Sequence, residues 1–227
     1  MFRKSLILLV LLTFALAACS AIPNIDLSEE ATAETTESAE LAVDGAPSIT
    51  IDHFAGTVTV REGDEGRVMA SVVKQSRLRD EAEAEAQLER IVLVVEETGD
   101  GPRIAVEGPE GLNSLRELPV GLTAELDVTV PPGSGVSVDL GAGEITIDQP
   151  TGDVNVNSGA GEVTVILPAD ASFDLSVTGG VADIDSDFEG VPGGGVGAEV
   201  ETTVGSNPTQ SITINLGAGD VNLESAP

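Results

Sequence analysis

Few side chains in this sequence could do chemistry, and most of them lack a partner. His53 is the only histidine, and Asp52 beside it would point to the opposite face of a strand, because successive strand residues alternate. The serines are plentiful but have no second base to activate them. One His and one Cys cannot furnish a zinc site, which needs three or four such ligands. Paired carboxylates abound, yet any acidic surface contains pairs at the separations a glycosidase uses. With no Trp and no Tyr, the usual platform for stacking a sugar ring is missing too. The one patterned acidic set is Asp183, Asp185 and Asp187, which would share a face of a strand and form a candidate calcium site. A helix–loop–helix calcium loop would next require Gly and, at its twelfth position, Glu; Phe188 and Gly194 stand there instead. Gly193–Gly195 and Gly197 could suggest a phosphate cradle, but no lysine is near and no strand–loop–helix pattern surrounds them. These residues read as a flexible loop.

Cys19, the only cysteine, has a different chemistry. It follows a basic start (Arg3, Lys4), an apolar run over Ser5–Ala15 that is short for a membrane span, and Leu16-Ala17-Ala18. The segment resembles the lipobox of bacterial lipoproteins, in which small residues precede a cysteine that is lipidated and becomes the new N-terminus. The resemblance implies removal of residues 1–18, acyl chains on Cys19, and a protein facing away from the cytoplasm. Two or more chains anchor stably where one is marginal. Ser20 after the cysteine, rather than Asp, implies outer-membrane sorting if the source has two membranes. Lipid at Cys19 makes the membrane an expected partner.

The charge narrows the other partners. Ten Lys and Arg face 39 Asp and Glu, for a formal net charge of −29. Phosphate binding needs a basic face, so nucleic acid is not expected. With one cysteine there is no internal disulfide, and stability must come from packing. Five Phe are the only aromatic residues, which suits a thin β-layer filled by Val, Ile, Leu and Ala better than a thick core.

The elements that would position any site are dominated by a repeat. V-S-V-D-L-G-A-G-E-I-T-I at Val136–Ile147 returns as V-N-V-N-S-G-A-G-E-V-T-V at Val154–Val165 and as I-T-I-N-L-G-A-G-D-V-N-L at Ile212–Leu223. Each copy is an alternating run, a Gly-Ala-Gly corner, and an acid that opens a second alternating run. In the first copy Val136, Val138, Leu140, Ile145 and Ile147 should point inward, and Ser137, Asp139, Glu144, Thr146 and Asp148 outward. A degenerate copy fits at Phe173–Ile184 and a broken one near Gly193–Val204. Copy starts at 136, 154, 173, 193 and 212 are then 18 to 20 residues apart, the mark of a repeat architecture. The spacing predicts an all-β fold: a β-solenoid or β-helix-like stack of Gly-cornered strand repeats over 134–224. A series of hairpins is the rival reading, because short Gly-containing links also join hairpin strands.

Upstream, Ser20–Ala46 is rich in Glu, Ala, Thr and Ser and too poor in apolar residues to fold alone, so 19–46 is expected to be a lipidated cysteine and an acidic tether. Residues 47–133 are expected to form a β-rich part with one short helix. Strands fall at Ser48–Ile51, Gly56–Val60, Arg67–Gln75, Ile91–Glu96, Arg103–Glu107 and Thr123–Val130. Asp80–Arg90 is the helix, capped by Asp80 with Glu83 three residues on. Gly108–Gly121 reads as a loop, and Pro131-Pro132-Gly133 as the boundary to the repeat part.

The pattern resembles the putative adhesins of bacteria, domain families with repeated β-strands. The resemblance rests on I-T-I-x-x-x-x-G-x-V-T-V at Ile49–Val60, the acidic helix before I-V-L-V-V-E, the L-D-V-T-V-P-P strand end, and the repeated G-x-V-x-V copies; it spans Pro47–Leu223. The family usually carries polar residues such as Asn at the corner where this chain has Gly-Ala-Gly. The resemblance implies a surface-exposed β-repeat domain and transfers no catalytic residues. The expected function is therefore a cell-surface lipoprotein whose non-catalytic, adhesin-like scaffold contacts an extracellular or envelope partner. Two alternatives stay open: an accessory binding protein in envelope-stress signalling, and a β-helix enzyme acting on polysaccharide.

Overall fold

The computed structural model describes residues 32–108 and 121–226. The first strand, β1 (Ala33–Ala42), lies inside the acidic segment expected to be a tether. Then come β2 (Ser48–His53), β3 (Gly56–Glu62) and β4 (Arg67–Ser76). The helix α1 (Glu81–Leu88) begins where the sequence places it: the Asp80 side chain accepts a 3.0 Å hydrogen bond from the Glu83 N–H. β5 (Val92–Thr98), β6 (Gly101–Glu107) and β7 (Leu122–Val130) follow. The repeat contributes β8 (Gly135–Leu140) with β9 (Gly143–Asp148), β10 (Val154–Ser158) with β11 (Gly161–Pro168), then β12 (Phe173–Ser186), β13 (Gly195–Val204) and β14 (Gln210–Ala226).

All fourteen strands join one mixed sheet, in the order β1-β4-β7-β3-β9-β11-β14-β10-β8-β2-β6-β5, with β12 running along β14 and β13 along β12. The sheet curls until its terminal strands β1 and β5 approach each other beside α1, so that it nearly closes into a barrel. This overturns the expected β-solenoid stack. Three features account for the difference. The Gly corners do not break the longest strands: β12 passes through Gly179-Gly180 and β14 through Gly217-Ala218-Gly219, joining the two halves of the sheet. The copies do not stack in chain order, because the copy at 212 sits between those at 154 and 173. The segment Gly195–Val204 is not a copy but a single strand that returns antiparallel along β12, Phe173 opposite Val204. Pairing is also antiparallel for β1–β4, β4–β7 and β5–β6.

Within the middle of the sheet the copies do lie parallel and in register. Ile49, Val136, Val154 and Ile212 share one row, and Val58, Ile145, Val163 and Val221 another. Thus β2–β3 sits directly beside β8–β9, and residues on both sides of the expected boundary at 133 share one sheet and one core. All five positions expected to point inward in the first copy are at most 4% exposed. A Leu, Ile or Val buried in this way contributes about 1.5–3 kcal/mol.

The second glycine of each corner is fixed by the stacking. Gly56, Gly143, Gly161 and Gly219 have φ of 127°, 141°, 133° and 142°, in the region that favours glycine. A Cβ on Gly161 would overlap the Gly143 carbonyl oxygen, and one on Gly143 would overlap that of Gly56. Backbone bonds continue across the corners, Gly143 N–H to Ala160 C=O and Gly56 N–H to Ala142 C=O, each 3.0 Å.

Strand β1 owes its form to its neighbour. Its own residues are exposed or half-buried, but its full length pairs with β4, from Ala33 opposite Ser76 to Ala42 opposite Arg67. Buried Lys74 holds it by donating 2.5 Å to Glu37 and 2.7 Å to the Ile91 carbonyl, so one ammonium ties β1 to the start of β5. No described helix is long and apolar enough to cross a membrane.

Candidate functional site

Parallel, in-register pairing turns each outward position of the repeat into a row across the sheet, with a step of about 4.8 Å between strands. On the half built from β2, β8, β10, β14 and β12, one row reads Asp52, Asp139, Asn157, Asn215, Thr178, ending at Glu199 of β13. The next reads Thr50, Ser137, Asn155, Thr213, Ser176, Glu201. In the first row the amides bond to one another: Asn215 Nδ2 donates to Asn157 Oδ1 at 2.9 Å, and Asn157 Nδ2 to Asp139 Oδ1 at 3.0 Å. Arg103 closes the row by donating 2.7 Å to Asp52 and 3.1 Å to Glu96. Beside the row the corners Gly141, Gly159, Gly180 and Gly217 carry no side chains. A shallow groove of about 640 Å³ results, lined by the four polar groups from Asp139 to Thr178 and those corners.

The other half presents a different face. Thr57, Glu144, Glu162, Asp220 and Asp183 form one row, and Thr59, Thr146, Thr164, Asn222 and Asp185 the next. Four carboxylates therefore stand on consecutive strands, relieved among the described residues where Asn222 Nδ2 donates 2.6 Å to Glu162. This is where the three aspartates of the candidate calcium site fall. Asp183 and Asp185 share the outer face of β12, while Asp187 lies past its end, accepting from Ser225 N–H at 2.9 Å. Asp185 accepts from the Ser186 N–H, also at 2.9 Å. Among the described residues no group of three or more His, Cys, Asp or Glu side chains is arranged to hold a metal ion. Cys19 lies outside the described residues.

His53 faces inward at the end of β2, 4% exposed, in register with Leu140 and Val106. Its Nε2–H donates 3.1 Å to the Ala124 carbonyl, and Nδ1 has no partner. Burial disfavours the charged ring and pulls its pKa down to about 4; the bond to Ala124 offsets this only in part. Asp52 points the other way, toward Arg103, so the two form no dyad. Residue types alone did not single out the Asp139–Asn157–Asn215 row. Its signal was present as the same outward position in three copies, legible only once the register was known.

No protein-family model matches the chain, and no curated protein matches it. Among solved structures, one from Clostridium sporogenes, described as a putative cell adhesion protein, aligns over 85% of this chain and 100% of its own, with 17% identity and a TM-score of 0.53. The chain shares the overall fold of that structure. A putative adhesin from Parabacteroides distasonis aligns over 83% of this chain and 70% of its own, at 12% identity and a TM-score of 0.28. A putative lipid binding protein from the same organism aligns over 83% and 96%, at 12% identity and a TM-score of 0.23. The expected resemblance to the bacterial putative adhesins thus holds at the level of fold.

Proposed function

We propose that the protein is a non-catalytic adhesion module of the bacterial cell surface, anchored through lipid on Cys19, that makes its contacts through an outward face and not through an enclosed pocket. The observation that carries this reading is the polar face of β2, β8, β10, β14 and β12, where Ser, Thr, Asn and Asp repeat in register over a rigid apolar core. Rigid placement matters for binding, because side chains fixed beforehand lose less entropy on contact. Nucleic acid is not a partner of so acidic a chain. Membrane fractionation of cells expressing the full chain or Cys19→Ala tests the anchor; the variant should be released or left unprocessed, and normal cleavage with retention would refute lipidation. Attachment of the same cells to host-cell and biofilm matrices tests adhesion. Cells with the intact chain should attach better than cells without it, and equal attachment on every matrix would refute the reading.

A further inference from the structure

We propose that the groove beside Asp139, Asn157, Asn215 and Thr178 binds a neutral, linear polysaccharide, laid across the strands with its hydroxyls against the amide row. This rests on the adhesion reading and names its ligand class.

The argument starts from what the row leaves unspent. An Asn side chain has two N–H donors and a carbonyl oxygen with two lone pairs. Asn157 and Asn215 each use one N–H along the row, and Asn157 uses one lone pair. Each keeps a second N–H, Asn215 keeps its whole carbonyl, Asp139 keeps its other carboxylate oxygen, and Thr178 its hydroxyl. The groove therefore offers free donors and acceptors side by side at steps of about 4.8 Å. The bonds within the row hold the amides in place, so little ordering remains to be done on binding.

Charge and shape remove other ligand classes. None of the groups lining the groove is cationic, so phosphates, sulfated glycans and acidic peptides lack a counter-charge. It is too shallow to enclose an apolar molecule. An extended peptide repeats its side-chain pattern every two residues, about 6.6 Å, and falls out of step with the strands. A β-linked hexose polymer repeats close to the strand spacing, and each of its hydroxyls both donates and accepts. The glycine corners leave room for the rings. A Cβ on Gly159 would stand 2.5 Å from the Gly141 carbonyl, and one on Gly180 2.6 Å from that of Gly217. Packing thus keeps these corners bare, while Leu140 and Leu216 turn their side chains into the core beneath.

The test is calorimetric titration of the full chain in detergent with cellohexaose, laminarihexaose and chitohexaose, with dextran sulfate as the anionic comparison. At least one neutral hexasaccharide should bind, weakly because no aromatic ring stacks on it, and dextran sulfate should not. Asn157→Ala with Asn215→Ala should weaken that binding by about tenfold or more, since two hydrogen-bonding side chains are lost. Thr146→Ala, on the opposite face, should leave it unchanged, and melts of all variants confirm folding. Absence of binding by any neutral hexasaccharide up to about 10 mM, where useful affinity ends, overturns the proposal. So does binding that Asn157→Ala with Asn215→Ala does not weaken. If cells still attach to a matrix stripped of glycan, and the double variant abolishes that attachment, the face is a contact site for protein and the polysaccharide assignment falls alone. If no matrix is bound at all, the adhesion reading falls with it.

Discussion

Gly161→Ala should be among the most damaging small substitutions in the protein, and the structure says by how much. Gly161 sits at φ +133°, a conformation that L side chains rarely adopt; holding one there costs about 1–3 kcal/mol. The larger effect is steric. The new Cβ would overlap the Gly143 carbonyl oxygen, standing 2.8 Å from the carbonyl carbon and 3.0 Å from the Gly143 nitrogen. Relief requires β9 and β11 to part by an ångström or so at the corner. The bond from Gly143 N–H to Ala160 C=O would go, and its neighbours would stretch. Each buried group left unpaired costs about 1–3 kcal/mol. A total loss of about 3–9 kcal/mol follows, comparable with the 5–15 kcal/mol that stabilises a typical domain.

Two further glycines separate the contributions. Gly45 has φ +65° but nothing within 4 Å of its missing Cβ, so Gly45→Ala carries the conformational cost alone, about 1 kcal/mol. Gly99, in the β5–β6 turn, has neither positive φ nor a neighbour, and Gly99→Ala should be neutral or slightly stabilising. With no Trp or Tyr the usual fluorescence probe is absent, so urea unfolding is best followed by far-ultraviolet circular dichroism. The expected order of loss is Gly161 far above Gly45, and Gly45 above Gly99. If Gly161→Ala cost no more than Gly45→Ala, the stacked corners would be wrong.

Four other substitutions probe the core, the acidic face and the buried ring. Val156 is fully buried between Val138 and Ile214, so Val156→Asp should lose about 3–5 kcal/mol, while Asn155→Asp, one residue away and outward, should change stability by less than about 0.5 kcal/mol; equal shifts in the two thermal melts would mean the inward and outward positions are misassigned. Glu162→Gln should stabilise by roughly 0.5 kcal/mol by interrupting the row of Glu144, Glu162, Asp220 and Asp183, with a larger gain at low salt; a loss at low salt would sink the idea. His53 titrates near 6.5 unfolded and about 4 folded, so the unfolded chain binds the extra proton between those values. The stability of neutral His53 is thus complete above pH 6.5 and falls away as the pH drops toward 4, by about 3 kcal/mol. His53→Leu should remove that part of the pH dependence in chemical unfolding, and parallel curves for the two proteins across that window would refute the burial argument.

How far the sequence could be read depended on the range of the interaction. Local alternation placed Val136, Val138, Leu140, Ile145 and Ile147 in the core, and the short-range cap placed Asp80 at the helix start. The outward direction of Asp52 against inward His53 also followed from alternation alone. The order of the strands did not. The copies at 136, 154 and 212 are nearly equivalent, so nothing in their residues says which lies beside which; the hairpin from β12 to β13 decides that by sending the chain back before β14 is laid down. Glycine misled in one respect, since Gly180 and Gly217 lie inside β12 and β14 without ending them. Ala33–Ala42 was illegible for another reason. Its composition cannot bury a core, and it becomes a strand only because β4 offers an open edge and Lys74 a buried cation for Glu37. The face proposed for contact was in the sequence as Asp139, Asn157 and Asn215, but scattered over three copies.

The register that assembles that face also constrains how it can work. A single row position receives a polar outward residue from every copy, so the register multiplies whatever those residues do together. Amides gain from this, because each can donate to the next, as Asn215 and Asn157 do. Carboxylates lose, because among the described residues Glu144, Glu162, Asp220 and Asp183 have Asn222 alone set against their repulsion. A ligand that bridges several strands then meets many modest contacts, none of which dominates. Each contact adds its increment as a second binding event made local by the first. Loss of one amide should accordingly weaken attachment by a fraction, and loss of the whole row should abolish it. An enclosed pocket would behave in the opposite way, with one or two residues carrying most of the affinity. The slope of attachment against the number of row residues removed, from Thr178 through Asn215 and Asn157 to Asp139, distinguishes the two: a gradual decline supports contact along the row, and a single abrupt step would place the binding energy at one point.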